Sequence, residues 1–159
     1  MSKVNRGKQF EGVIKKAFLQ VPEVSIDRLP DQMTGYKVTS ANICDFIVYK
    51  KPCEFYIECK SVHGASLPFS NIADNQWNGL LKKNDIEGVH AGIICWFIDK
   101  DVTRYYPIIN LYLRKCIGKK SINWKDDEFH NEQIITLEGK KKRVFFEYDM
   151  KRFFEDFSL

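Results

Sequence analysis

The stretch Ile43-Cys-Asp-Phe-Ile-Val-Tyr-Lys-Lys-Pro-Cys-Glu-Phe-Tyr-Ile-Glu-Cys-Lys60 holds two runs of strand-forming residues, Ile43 to Tyr49 and Cys53 to Lys60. Between them, the charge and proline of Lys50-Lys51-Pro52 mark a turn. Folded as a hairpin symmetric about the Lys51-Pro52 bond, the stretch pairs Phe46 with Ile57 and Val48 with Phe55 on one face and sets Asp45 opposite Glu58 on the other. Side chains alternate along a strand, so Lys60 lies on the Glu58 side while Ile57 and Cys59 lie on the opposite side. One register therefore buries the apolar set and gathers Asp45, Glu58 and Lys60. A two-residue primed turn at Lys51-Pro52 would be strained, so a longer loop about the same centre is expected; a bulge would shift the pairing by one residue.

Working outward, Phe10, Val13, Ile14, Ala17 and Phe18 recur at the spacing of one helix face, which predicts a helix over Asn5 to Leu19 closed by Pro22. Val24 to Leu29 reads as a short strand, and the polar Asp31 to Asn42 as a loop suited to a flexible functional element. Ser61 to Asn71, with Gly64 and Pro68, reads as another loop. A helix follows, carrying Ala73, Trp77, Leu80 and Leu81 on one side, started by Asn71 or Asp74 and ending near Gly88. The unbroken apolar run His90 to Ile98 predicts a central strand covered on both faces. Val102 to Ile109 is expected as a strand and Ile108 to Ile117 as a helix; no pattern decides the stretch after Gly118. Met150 to Phe157 is expected as a short helix packed on the body. Helix, strands, helix, strand in this order predicts one α/β domain over residues 1–159, with a central mixed β-sheet flanked by helices.

The composition agrees with a folded domain. The chain has 159 residues, 44% hydrophobic and 29% charged, which supplies a core and excludes general disorder. Its apolar runs fall far short of the roughly 20 residues that cross a bilayer, and its polar start has no signal-peptide core. Cys44, Cys53, Cys59, Cys95 and Cys116 are odd in number and lack Cys-x-x-Cys spacing, so they read as reduced thiols of a cytosolic protein. Residues 1–120 carry 18 Lys/Arg against 12 Asp/Glu, and residues 121–159 carry 7 against 9. A basic body with an acidic end permits a phosphate-rich partner.

Facing carboxylates repel unless a positive charge sits between them, and hard oxygen ligands suit Mg²⁺, for which Mn²⁺ is expected to substitute. A divalent ion there would activate water and polarise a phosphoryl oxygen, with Lys60 positioning that water or stabilising developing charge. The same triplet also reads as ordinary ion pairs on a solvated sheet face, and spacing alone leaves both open. His63, His90 and His130 do not combine with the cysteines at zinc spacing, and His63 is at most a DNA contact. Lys140-Lys-Lys-Arg143 reads as a solvated turn. No Gly-rich phosphate loop or nucleophile elbow is present.

Asp45-x12-Glu58-Cys59-Lys60, strand-borne and preceded by a helix containing Glu11, resembles the motif of the PD-(D/E)XK nuclease superfamily. Together with Asn5-Arg-Gly-Lys-Gln-Phe-Glu11, Cys44-Asp-Phe46, Ile57-Glu-Cys-Lys-Ser61, Ser66-Leu-Pro-Phe-Ser70 and Gln76, it makes the chain similar to the RecU-type Holliday junction resolvases, phage relatives included, over about residues 5–98. The resemblance implies a restriction-endonuclease-like core. It also implies that Asp45, Glu58 and the backbone carbonyl of Cys59 bind the metal, that Lys60 is the catalytic lysine, and that Glu11 and Gln76 complete the catalytic set. Arg6 and Lys8, on the first helical turn near Glu11, are the expected DNA contacts.

The implied activity is structure-selective, metal-dependent hydrolysis of branched DNA such as a four-way junction. It would serve recombination, repair or phage DNA processing, with a homodimer acting in bacterial or phage-infected cytosol. Two other readings stand beside it: a sequence-specific restriction-type or repair endonuclease of the same superfamily, and a non-catalytic DNA-binding recombination accessory protein. The chain departs from the family pattern in having Cys44-Asp45 where Pro-Asp is usual. It also has a short gap from Phe18 to Asp45 where RecU-type enzymes carry a stalk, so Asp31 to Asn42 is read as a reduced stalk.

Overall fold

Asn5 starts the first helix by accepting the Lys8 N–H at 3.2 Å on its side chain, satisfying one of the orphan donors of a helix N-terminus. Helix α1 then runs Arg6–Leu19 and buries Phe10, Ile14, Ala17 and Phe18. The computed structural model describes residues 5–30, 42–126 and 133–159. After α1 come β1 (Ser25–Arg28), β2 (Phe46–Lys50), β3 (Cys53–Val62), β4 (Ser66–Pro68) and a 3₁₀ turn over Phe69–Asn71. Helix α2 (Asp74–Asn84), β5 (Val89–Phe97), β6 (Val102–Pro107) and α3 (Ile108–Cys116) follow. The chain continues through β7 (Ser121–Asn123), β8 (Ile135–Thr136), β9 (Gly139–Lys141), β10 (Phe146–Tyr148) and α4 (Met150–Glu155).

The main sheet has the order β1-β2-β3-β5-β6-β8. Strands β3 and β5 are parallel, which obliges a crossover that α2 supplies; the other pairs are antiparallel. This is a central mixed sheet flanked by helices, in the expected order of helix, strands, helix, strand. Strand β5 is central and almost wholly buried, as its apolar run requires. Helices α1 and α4 cover one face, where Phe10, Ile14 and Phe18 meet Phe46, Val48, Phe55 and Ile57. Phe55 is enclosed there by Phe153, Phe154 and Phe157, with ring centroids 5.6, 5.5 and 4.9 Å away. Helices α2 and α3 and the β4–β7 pair cover the other face around Trp77, Leu80, Ile93 and Tyr106.

The β2–β3 register is the expected one, with Phe46 facing Ile57 and Val48 facing Phe55. The connection differs from expectation. It is only Lys51-Pro52, joined by a cis peptide bond, and with Lys50 facing Cys53 across it the expected longer loop is absent. Two other boundaries move. The Ser61 to Asn71 loop contains β4, recruited by its long-range partner β7. Helix α2 ends before Gly88, whose φ of +78° belongs to the turn entering β5. Nearly all of the Asp31 to Asn42 stretch lies outside the described residues; at its margin Asn42 donates to the Pro30 carbonyl.

One glycine fixes how closely α2 lies to the start of β2: a Cβ on Gly79 would sit 2.2 Å from Cγ2 of Ile43, whereas one on Gly12 of α1 would meet nothing within 4 Å. The two substitutions should therefore have opposite signs. Gly12→Ala is expected to stabilise by about 0.5–1 kcal/mol through helix propensity. Gly79→Ala is expected to destabilise by about 1–3 kcal/mol through overpacking. Urea unfolding midpoints at unchanged m-value check both.

Candidate active site

The site begins where β2 breaks its own alternation. Cys44 packs with the α2-side cluster and Phe46 with the α1-side cluster, although residues two apart on a regular strand share a face. The Asp45 N–H donates to the Ile57 carbonyl at 3.1 Å while Phe46 also faces Ile57. Two residues thus oppose one, as at a β-bulge, and a bulge re-aims its side chain. The Asp45 carboxylate turns across the hairpin and accepts the Cys59 N–H at 2.8 Å.

Glu58 is 6% exposed, one of few buried charged residues, so its carboxylate needs partners. Lys60, two residues on and on the same face, places Nζ 2.9 Å from Glu58 Oε1. Gln76 Nε2 donates to the same oxygen at 2.8 Å. The Gln76 Oε1 accepts from Lys60 Nζ at 3.2 Å and from the Ala73 N–H at 3.1 Å. Gln76 is therefore clamped: it satisfies the N-terminal backbone of α2 through one end of its amide and a buried carboxylate through the other. Ala73, rather than Asn71 or Asp74, is the N-cap, and the glutamine three residues later is the half of a capping box that the sequence displays.

Burial, and next the Glu58 charge, push the Asp45 carboxyl from 3.8 up to about 7, against the opposing pull of the Cys59 N–H and Lys60. Two carboxylates this close in a buried setting cannot both ionise cheaply, and a proton holds them together. A divalent cation can take that proton's place. Among the described residues no group of three or more His, Cys, Asp or Glu is placed to hold a metal, so the side-chain donors on offer are Asp45 and Glu58. That set fits Mg²⁺, which keeps several waters and is commonly held by one or two carboxylates. Because the N–H and C=O of a strand residue point the same way, the Cys59 carbonyl looks toward the Asp45 side as well. Burial drives the Cys44 thiol up to about 12, with the Glu58 and Asp45 charges adding to it. Burial likewise holds the Cys59 thiol well above its ordinary value. Both sulfurs stay protonated and are poor metal ligands or nucleophiles.

The structure thus brings together Asp45, Glu58, Lys60 and Gln76, with the Cys59 backbone alongside. Glu11, on α1, is ion-paired with Arg28 of β1 at 3.0 Å, and its charge is felt by the Cys59 thiol on the α1 side of the sheet. Arg6 and Lys8 are exposed on the first turn of that helix. His63, just past β3, is held by Asp99 at 3.0 Å.

No family model matches the sequence, and no curated protein matches it either. Among solved structures, the chain is similar to a Holliday junction resolvase from the archaeal hyperthermophile Archaeoglobus fulgidus, with a TM-score of 0.47 and 14% identity over 75% of this chain and 87% of that one.

The raised Asp45 carboxyl has a checkable sign. Between its ordinary 3.8 and about 7 the folded chain holds a proton that the unfolded chain has released. Its contribution to stability is therefore full below the lower value and lost as pH rises through the upper one. In EDTA, Asp45→Asn should match the wild type near pH 3 and exceed its Tm by on the order of 5 °C at pH 8. A scanning calorimetry series across that range reads the difference.

Proposed function

We propose that the chain is a Mg²⁺-dependent endodeoxyribonuclease that cuts branched DNA, a four-way junction being the preferred substrate. The observation that carries this reading is the closure of Asp45, Glu58, Lys60 and Gln76 into one hydrogen-bonded group at the end of β3. A structural ion pair does not need a second carboxylate aimed at the first by a break in strand alternation. A phosphodiesterase centre does need two hard oxygen donors with a lysine beside them.

On this reading Asp45 and Glu58 hold the cation together with the Cys59 carbonyl. The bound ion would supply an activated water and charge stabilisation at the phosphoryl oxygens. Lys60 keeps Glu58 oriented through one N–H and reaches Gln76 through another, which leaves its third donor for a phosphate oxygen or the attacking water. Gln76 acts through Glu58 and Lys60, fixing both against the first turn of α2. The chain would act as a homodimer, so that two equivalent centres cut symmetry-related strands. Placement in bacterial or phage-infected cytosol belongs to the same proposal. Among the described residues no helix is long and apolar enough to cross a membrane.

The test is metal-dependent nicking of labelled four-way junction, linear duplex and single-stranded DNA. Cleavage of the junction in Mg²⁺ or Mn²⁺ and none in EDTA is expected. Asp45→Ala and Glu58→Ala should abolish cutting while keeping DNA binding, and Gln76→Ala should slow it about 10- to 100-fold, the usual loss when a partner that orients a ligand is removed. Cleavage at one duplex sequence irrespective of branching would move the assignment to a restriction-type enzyme. Binding of DNA without cleavage in either metal would overturn the nuclease reading.

A further inference from the structure

The lysines that close α3 face the same helical turn that clamps the site. Lys115 lies in the last turn of α3, and Gly118, at a φ of +91°, turns the chain so that Lys119 and Lys120 follow directly. The turn is held firmly: Lys119 donates its N–H to the Arg114 carbonyl at 3.0 Å, and Lys120 accepts the Phe69 N–H at 2.9 Å. Beyond Lys120, β7 pairs with β4. These lysines form one wall of a groove of about 680 Å³ whose other wall is Phe69, Ser70, Ala73 and Trp77. Asp74 is the acidic side chain among its lining residues. Lys115 lies over the Trp77 ring, Nζ 4.7 Å from its centroid.

Two features mark this groove as a place for an extended polyanion. All three lysines are exposed, and among the described residues neither Lys119 nor Lys120 is ion-paired. On the opposite side of the sheet, by contrast, Lys141 pairs with Asp101, Lys142 with Glu147 and Arg152 with Glu138. A pocket built for a small anion would bury its charges; here they stand on the rim, where a ligand running past would meet them. The groove also connects to the chemistry, because Ala73 in its wall donates to the Gln76 oxygen that also receives Lys60 Nζ.

We propose that Lys115, Lys119 and Lys120 are phosphate contacts that carry one strand of the DNA backbone from the candidate active site along the groove between α2 and α3. The assignment rests on the nuclease reading above and names the surface through which it engages DNA. These contacts position the backbone without reading sequence, so their loss acts alike on junction and duplex.

The experiment is equilibrium binding of the full chain to a fluorescent four-way junction and to a duplex of the same arm sequence, in EDTA, across a salt series. Lys119→Gln/Lys120→Gln should weaken binding about 10-fold near 100 mM salt and lower the slope of log K against log salt by about 2 on both DNAs. Lys140→Gln/Arg143→Gln, equally basic but on the far hairpin, should leave the slope unchanged, and circular dichroism checks that each variant is folded. If the groove variant binds with the wild-type slope while the wild type binds normally, the groove assignment fails and the nuclease reading stands. If the wild type itself binds neither DNA, both fail together.

Discussion

The buried carboxylate of Glu58 is the constraint around which the rest of the site is arranged. At 6% exposure it cannot rely on water, and an unpaired charge there would be expensive. Lys60 and Gln76 both converge on one of its oxygens, and Asp45 crowds it closely enough to be driven toward protonation. Each partner comes from a different piece of backbone: Lys60 from two residues along the same strand, Gln76 from the first turn of the crossover helix, and Asp45 from the bulged entry to the neighbouring strand. Displacing any of these elements would leave a buried charge short of partners. The polar group therefore ties the first turn of the α2 crossover to β3.

The two faces of the sheet divide the labour. On the α1 and α4 side, aromatic side chains surround Phe55, and the buried hydroxyls of Thr103 and Tyr148 pair with each other at 2.6 Å. The α2 and α3 side carries the site, and Gly79 lets α2 come down onto Ile43 just before Cys44 and Asp45. Close approach there and the clamp at Gln76 act at two points of one helix. Asp45 is thus bracketed by the strand it pairs with and by the helix that holds Gln76. The buried Cys44 and Cys59 thiols beside the carboxylates stay neutral and add no further negative charge.

Much of this was legible in the sequence. Alternation within Cys53 to Lys60 and the proline break before it carry the hairpin register and the shared side of Glu58 and Lys60; Asp45 reaches the group through the bulge rather than by facing Glu58 in the ladder, its N–H bonding the Ile57 carbonyl. What the sequence concealed depended on distant partners. Strand β4 has only three residues and exists because β7, more than fifty residues later, pairs with it; its local composition reads as loop. The bulge at Asp45 leaves no mark in composition, since it follows from Cys44 being wanted on one face and Phe46 on the other. The helical position of Glu11 was clear, but not that α1 would cover the opposite face of the sheet and give it to Arg28. No local pattern marks Lys115, Lys119 and Lys120, which the β4–β7 pair sets beside the first turn of α2.

Charge balance connects the site to what it would bind. With a proton on Asp45, the group of Asp45, Glu58 and Lys60 is neutral, which is the state a partly buried site settles into on its own. Exchanging that proton for a divalent cation leaves one net positive charge, and a phosphodiester brings one negative charge. On the proposed reading, the same burial that makes two carboxylates costly without metal makes the loaded site complementary to a single phosphate group. A free nucleotide, with its additional charge, would overshoot that balance. The surrounding surface fits the same logic. The flanking phosphates of a polymer need cations of their own at a distance from the centre, and exposed lysines on the rim of the adjoining groove would supply them. Specificity for a polymer over its monomer would then come from where the positive charges are placed, with no base contacted.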